Sequence, residues 1–349
     1  MLHPENQVIE RNIEHLPSGN VLLVDVLNDS SLNEFSKQRT DITWFGYTPF
    51  FDTFEKLNAS SSNVFFSEWL SETEINNSFD AIIIYFPKTK LRFDYYLSMF
   101  SKYLKADATI YVVGEKKGGV KNCAKALTPY TIKTNKLDAA RHCMMFTAAF
   151  NGFVCDKNLD DWYQKKSVTI EINQSTIDLD LYSLPGVFSA SGVDDGTELL
   201  LKTIEPVKGH GLDFGCGCGV ISASVSKAFD TKMTAIDVDA LAVASSNKTF
   251  SENNINATAI ASNGLSKISN NKDMFDFIVT NPPFHTGIST DYSITENLIK
   301  QSTSVLKRKY SYWMVANSFL PYPELFVKYL KPIVVKNKNK RFNIYNTKT

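Results

Sequence analysis

At 349 residues the chain has room for two domains of about 150 residues each, or for one large one. Apolar residues make up 43% and charged residues 21%, the proportions of an ordinary globular protein, so a disordered or fibrous chain is excluded. Lys plus Arg and Asp plus Glu number 37 each, so attraction to a polyanion has to come from local clustering.

The N-terminus, MLHPENQVIERNIEH, shows neither the basic start nor the apolar stretch of a signal peptide. No apolar run reaches the roughly 18 residues of a membrane helix. Cys123, Cys143, Cys155, Cys216 and Cys218 form no spaced framework and read as reduced thiols, which predicts a cytoplasmic protein. Strands are predicted at 20–26, 63–66, 79–86 and 108–115, with a helix at 90–106. Short apolar strands alternating with helices predict a parallel sheet with crossovers. A polar, irregular stretch at 151–166 marks the boundary between domains at 1–155 and 165–349.

Beyond it, the period-2 runs 167–173 and 176–184 predict a hairpin turning at Gln174-Ser175. A helix at 198–204 then leads into strands at 211–215, 232–239, 257–262, 276–281 and 311–318, with helices at 219–229, 240–254 and 296–308. A last hairpin is predicted from 332–337 and 341–346. The halves resemble each other. FDAIIIYFPK (79–88) lines up with FDFIVTNPPF (275–284), and each is followed by a predicted helix ending in Leu-Lys, at 104–105 and 306–307. Asp25 lies 54 residues before Phe79, and Asp213 lies 62 before Phe275. Matching order and spacing predict an α/β chain of two tandem, doubly wound domains that arose by duplication.

The strongest local signal is Asp213-Phe214-Gly215-Cys216-Gly217-Cys218-Gly219, which ends one strand and opens a helix. Alternate glycines let the backbone turn sharply and approach a ligand. An acid before the loop opposes a pyrophosphate and attracts a cationic amino group. Asp237, ending the next strand, sits where a carboxylate can accept from ribose hydroxyls. Together these predict S-adenosylmethionine in preference to NAD. Cys216 and Cys218 have no second pair at zinc-ligand spacing and no histidine placed to assist, so they read as small packing residues and no metal is expected.

Asn281-Pro282-Pro283-Phe284 follows the strand FDFIVT. The prolines stiffen the loop. The Asn281 carboxamide oxygen and the Pro282 carbonyl can then accept the two hydrogens of a planar exocyclic amine, with Phe284 stacked on the ring. Pro283 and His285 are expected to line the substrate side.

These motifs resemble the class I adenosylmethionine-dependent methyltransferases that modify exocyclic amines. The likeness narrows with L-P-G-V-F-S (184–189), the stretch from Asp194 to Leu201, N-P-P-F-H-x-G (281–287) and V-A-N-x-F-L-P-Y-P (315–323). In the first half, Y-F-P-K-T-K (85–90) and V-V-G-E-x-K-x-G-V (112–120) extend it over nearly the whole chain. The chain is thereby similar to the RsmC family, bacterial small-subunit ribosomal RNA guanine-N2 methyltransferases; only Cys218 departs from that pattern. The resemblance implies two Rossmann-like class I domains, of which only the second has an intact cofactor site. That site is expected to comprise Asp213, Gly215, Cys216, Gly217, Gly219, Asp237, Val238, Asn263 and Asn281. Asn281, Pro282 and Phe284 would act on a guanine of small-subunit ribosomal RNA, naked or within the assembled 30S subunit. The loop after VLLVDV has no glycine and YFPK has no asparagine, so the first copy reads as a recognition or folding-support domain of a monomeric enzyme. Its Lys116, Lys117, Lys121, Lys125, Lys133, Lys136 and Arg141 face a single acid, Asp138, and are candidates for phosphate contacts, Lys116, Lys117 and Lys121 above all. The run from Lys328 to Arg341 is a second candidate. A protein glutamine-N5 methyltransferase, a DNA adenine-N6 methyltransferase and a non-catalytic RNA-binding assembly factor remain open alternatives.

Overall fold

Short apolar runs bounded by turns give the first half seven strands: β1 (Gly19–Val24), β2 (Ile42–Thr48), β3 (Val64–Phe66), β4 (Phe79–Tyr85), β5 (Leu104–Glu115), β6 (Thr131–Ala140) and β7 (Cys143–Phe150). The second half adds a hairpin, β8 (Gln164–Ile172) and β9 (Ser175–Ser183). A second set of seven follows: β10 (His210–Phe214), β11 (Lys232–Asp237), β12 (Ala257–Ala261), β13 (Phe275–Thr280), β14 (Leu306–Asn317), β15 (Val334–Lys338) and β16 (Phe342–Lys348). The computed structural model describes residues 2–61, 63–71, 75, 78–188, 192–268, 273–282, 288–320 and 322–349, with 288–294 as backbone only. The chain divides into two compact units, Met1–Trp162 and Tyr163–Thr349.

Both sheets have the same order, β3-β2-β1-β4-β5-β7-β6 and β12-β11-β10-β13-β14-β16-β15. In each, five strands run parallel, and the seventh lies antiparallel to the fifth and sixth. The central strands are buried on both faces, Val21 to Val24 completely, which is why they read as unbroken apolar runs.

The repeat extends to side chains. Gly19 and Gly209 have φ of +104° and +89° and lie against the carboxylates of Asp80 and Asp276. Each aspartate accepts the next N–H, from Asn20 at 2.7 Å and from His210 at 2.8 Å. Each also receives the lysine of a Leu-Lys pair, Lys105 at 2.7 Å and Lys307 at 2.9 Å. This corrects the reading of those pairs as helix ends. The helices stop at Ser101 and Val305, and Leu104 and Leu306 open β5 and β14. The lysine has to reach the neighbouring strand's aspartate, so the chain is already extended there.

The hairpin turn also differs from expectation. Ile172 pairs with Ser175, so Asn173 and Gln174 form the turn, with φ of +43° and +66°. A two-residue turn matched to strand twist requires positive φ at both positions, and asparagine tolerates that region. The free edge of β9 is closed by side chains of the helix Ala240–Glu252 and its cap. Ser245 and Thr249 accept the N–H groups of Leu184 and Tyr182 at 2.9 and 3.0 Å, and Asn253 bonds both backbone groups of Asp180. β2 and the β6–β7 pair were missing from the predicted strands. Much of β6 is exposed and polar and carries no clear alternation, and its turn at Arg141-His142 again has positive φ, +50° and +62°.

Candidate active site

In the second unit the order β11-β10-β13 reverses direction of growth between β10 and β13, the place where open α/β sheets bind ligands beyond their carboxyl ends. The predicted residues gather there because the strands are parallel. The glycine loop follows β10, Asp237 ends β11 and Val238 follows it, Asn263 follows β12, and Asn281-Pro282 follow β13. Val238 is half-buried, Asn263 exposed, Asn281 half-buried and Pro282 buried. Pro283, Phe284 and His285 lie outside the described residues.

Gly215, Gly217 and Gly219 have φ of +72°, +56° and +82°. At Gly219 a Cβ would lie 2.7 Å from the Phe250 ring, so neither the backbone nor the space allows a side chain. The loop is tied down at several points. Gly215 and Cys216 donate to the Ile236 carbonyl at 2.8 and 3.1 Å, Gly217 donates to Asp237 Oδ2 at 3.0 Å, and Ser246 Oγ donates to the Gly217 carbonyl at 2.9 Å. Asp239 N–H occupies Asp237 Oδ1 at 3.0 Å. Asp237 therefore organises the loop through both of its oxygens.

Asp213 is completely buried. Its Oδ2 accepts from the N–H and hydroxyl of Ser222, at 3.1 and 2.8 Å, while Oδ1 has no partner among the described residues. The acid is thus a support for the loop and the following helix, Val220–Phe229. Burial pushes its carboxyl up to about 7, with the Ser222 bonds opposing and Asp237 adding to the rise. Burial likewise pushes Asp237 up to about 6. Two carboxyls held this high are suited to a site completed by a cation. Burial also pushes the Cys216 thiol well up and Cys218 to about 12, so neither is a ready nucleophile. Among the described residues no cluster of His, Cys, Asp and Glu could hold a metal ion, and no helix is long and apolar enough to cross a membrane.

The Asn281 carboxamide is held from one side. Its Nδ2 donates to Thr197 Oγ1 at 2.9 Å and to both Asp194 oxygens at 3.3 Å. Its Oδ1 is buried and without a partner among the described residues. Neither Asp194 nor Thr197 was assigned a role from sequence. The available signal was Asp194 as a helix cap before Gly196-Thr197. Gly217 also packs on the Phe188 backbone, a Cβ there lying 3.2 Å from its carbonyl oxygen, which brings the exposed Phe188 ring beside the loop.

The first unit keeps this edge without its chemistry. By register, Leu23 stands where Asp213 does, Thr48 where Asp237 does, and Tyr85 where Asn281 does. Asp25 occupies the Gly215 position and retains the left-handed backbone, φ +65°. The Tyr85 hydroxyl is buried and bonded to Asn6 Oδ1.

Comparison with known proteins agrees with this geometry. The methyltransferase small domain model matches residues 178–346, and the model for its N-terminal domain matches 6–166. The ribosomal RNA small subunit methyltransferase C of Shewanella loihica is 35% identical over 350 residues, covering 99% of this chain and 98% of its own. This chain belongs to that family. The methyltransferase C of Pseudoalteromonas atlantica is 36% identical over 99% of both chains. A solved 16S rRNA N2 methyltransferase of T. thermophilus (RsmC), in complex with AdoMet and guanosine, superposes with a TM-score of 0.82 at 19% identity over 99% of this chain and 92% of its own. This chain shares the fold of that protein.

Proposed function

We propose that the chain transfers the methyl group of S-adenosylmethionine to the exocyclic N2 amine of a guanine in small-subunit ribosomal RNA. The observation that carries this is Asn281 Oδ1, a buried acceptor without a partner among the described residues at the switch point of the sheet, whose amide nitrogen is already committed. S-adenosylmethionine supplies an already activated methyl on its sulfonium, so direct transfer calls for no Lewis acid. The left-handed glycine loop leaves backbone room for it, Asp237 offers acceptors to ribose hydroxyls, and the Asp213 charge complements its α-amino group. Val238 and Asn263, on the same edge, border the nucleoside end. The guanine, extruded from its surroundings, presents N2 to Asn281 Oδ1 and the Pro282 carbonyl. A guanine amine is a poor nucleophile, and these acceptors aim its lone pair at the methyl and stabilise the positive charge that grows on nitrogen as the N–C bond forms and the S–C bond breaks; N2 then loses one proton to water or a nearby acceptor. Labelled methyl transfer should appear on small-subunit ribosomal RNA and not on a release-factor-like protein or duplex DNA. Running naked RNA beside assembled 30S subunits identifies the substrate form. A ribosomal RNA acceptor fits a cytoplasmic enzyme, and the residues assigned to the site are all assigned within one chain, in keeping with a monomer.

A pH dependence follows from the two raised carboxyls. Bound ligand favours their ionised forms, so affinity should rise from pH 5 to about 7.5, with protons released on binding. It should fall again near pH 8 as the ligand's α-amino group, with a pKa of roughly 7.7–8.0, loses its charge. The unliganded protein behaves oppositely. Its folded pKa values lie above the usual carboxylate value of about 3.9, so the folded state binds more protons and stability drops as pH rises through about 4–7. Calorimetry in two buffers of different ionisation enthalpy, with thermal melts alongside, checks both signs.

For the first domain we propose RNA docking on the matching sheet edge. Lys88 and Lys90 follow β4, Lys116 and Lys117 follow β5, and the 116 N–H bonds the His142 carbonyl at 2.9 Å, which brings Arg141 alongside. Lys121 sits in the next turn. Lys116, Lys117, Lys121 and Arg141 are exposed and outside any ion pair among the described residues, with Glu115 the nearest exposed acid of β5. Asp138 is spent on Arg11, at 3.2 Å, and Asn12. Lys133 and Lys136 lie further along β6, away from this edge. The C-terminal run is partly neutralised, Lys328 by Glu296, Lys336 by Glu205 and Arg341 by Asp195. Changing Lys116, Lys117 and Lys121 to alanine should weaken RNA binding and flatten its salt slope by about 0.7–0.9 log units for each phosphate that is no longer neutralised, with cofactor affinity unchanged. Filter binding across a salt series reads this directly.

A further inference from the structure

We propose that Asp194, acting with Thr197, is a positioning residue that locks the Asn281 carboxamide with its oxygen toward the cleft and thereby makes the pocket select a hydrogen-donating amine. The inference rests on the methyltransferase reading above and deepens it. A carboxylate can only accept hydrogen bonds, so the amide end facing Asp194 has to be the nitrogen. The two Nδ2 hydrogens are used by Thr197 Oγ1, at 2.9 Å, and by the Asp194 carboxylate, at 3.3 Å to each oxygen. Oδ1 is left as the acceptor that a substrate must satisfy. Rotating the amide would set its oxygen against the carboxylate, so the alternative orientation is closed by repulsion.

The carboxylate is itself fixed. Asp194 caps the helix Asp195–Thr203, and its Oδ1 accepts from Gly196 N–H at 3.0 Å and Thr197 N–H at 3.3 Å. Residue 196 is closely seated, since a Cβ there would lie 3.2 Å from Asp194 Oδ1 and 3.4 Å from both Phe342 and Val315. One short stretch, Asp194 to Thr197, thus builds a cap, a close helix seat and an amide clamp together. The negative charge behind the amide also polarises it, making Oδ1 a stronger acceptor. That gain is larger once nitrogen becomes cationic than when it is neutral, so it favours the transition state. A base lacking the amine leaves the buried oxygen unpaired and is rejected for that reason.

The test uses the full chain with Asp194→Asn, Asp194→Ser, Thr197→Val and Thr197→Ser. Asparagine and serine are both good helix caps; asparagine keeps one acceptor but trades the charge and the other acceptor facing Asn281 Nδ2 for a donor, while serine retains neither carboxylate oxygen, so both keep the cap, the first weakening the clamp and the second removing its Asp194 half. Expected for these two and for Thr197→Val are an unchanged melting temperature, unchanged S-adenosylmethionine affinity and unchanged KM for RNA. Their kcat should fall by about ten- to a hundredfold, and Thr197→Ser should retain wild-type kcat. Wild-type kcat in Asp194→Asn would overturn the proposal. So would a drop in kcat that merely follows a drop in melting temperature or cofactor affinity, since Asp194 would then be only a cap. A second readout needs no substrate. The Asn281 side-chain NH2 protons should be protected from exchange in the wild type and lose protection in Asp194→Ser, and equal protection in both would overturn the proposal. Absence of transfer by the wild type would defeat the guanine-N2 reading, while amide protection would still decide the orientation.

Discussion

Asn281→Ala should lower the single-turnover rate of methyl transfer by on the order of a hundredfold to a thousandfold while leaving S-adenosylmethionine affinity near that of the wild type. The reason lies in which atom is removed. Alanine removes Nδ2 and its bonds to Thr197 and Asp194, a cost to the resting structure that the Gly196 and Thr197 N–H groups on Asp194 soften, and it removes Oδ1, which has no partner among the described residues and is kept for the substrate. In the transition state it is one of the acceptors facing a nitrogen that gains positive charge, and the effect is concentrated there. Asn281→Asp should fail to restore activity. It would set a second carboxylate where Asp194 already lies 3.3 Å from the side-chain nitrogen, and like charges that close force one group to hold a proton. Rapid-quench measurement with labelled cofactor reads the rate, and calorimetry reads the affinity. A wild-type rate in Asn281→Ala would remove the amine from the Asn281 site.

Asp237→Ala should weaken S-adenosylmethionine binding by about 1.5–3 kcal/mol, roughly 10- to 150-fold, through loss of charge-assisted hydrogen bonds. The structure adds a second route to the same weakening. Asp237 also accepts from Gly217 and Asp239, each at 3.0 Å, so the alanine variant releases the glycine loop from the end of β11. Asp237→Asn keeps one acceptor oxygen and should lie between alanine and wild type. Titration calorimetry at pH 7.5, where the wild-type carboxylate is ionised, separates the three. Circular dichroism should show all of them folded, because Asp237 sits at the carboxyl end of its strand, outside the apolar core. Equal affinity in wild type and alanine variant would exclude Asp237 from the cofactor site.

Much of the site could be read from sequence because its signals are local. Alternating glycines after an apolar run ask for left-handed backbone wherever the chain goes, and Gly215, Gly217 and Gly219 all adopt it. A parallel strand ends at the same edge as its neighbours, so finding the ends of β10, β11 and β13 was enough to bring Asp213, Asp237 and Asn281 together. The duplication was legible for the same reason, since Phe-Asp and Leu-Lys recur at matching places in both halves.

What escaped depended on partners distant in sequence. Whether Leu104-Lys105 ends a helix or opens a strand is decided by Asp80, on another strand, and the same holds for Lys307 and Asp276. β6 carries little apolar alternation, and its place comes from pairing with β7 beside β5. A contiguous reading grouped Lys133 and Lys136 with Lys116, and the register of β6 parts them again. That Asp213 also supports the next helix, its Oδ2 taken by Ser222, could not be read from its neighbours. The orientation of the Asn281 amide is set by residues 84 and 87 positions earlier. Sequence by itself determined the backbone conformations and strand ends, because φ preferences and apolar periods are properties of neighbouring residues. Only the tertiary structure decided which lone pairs and charges remain free for a ligand, because that depends on which distant side chains have already taken the others.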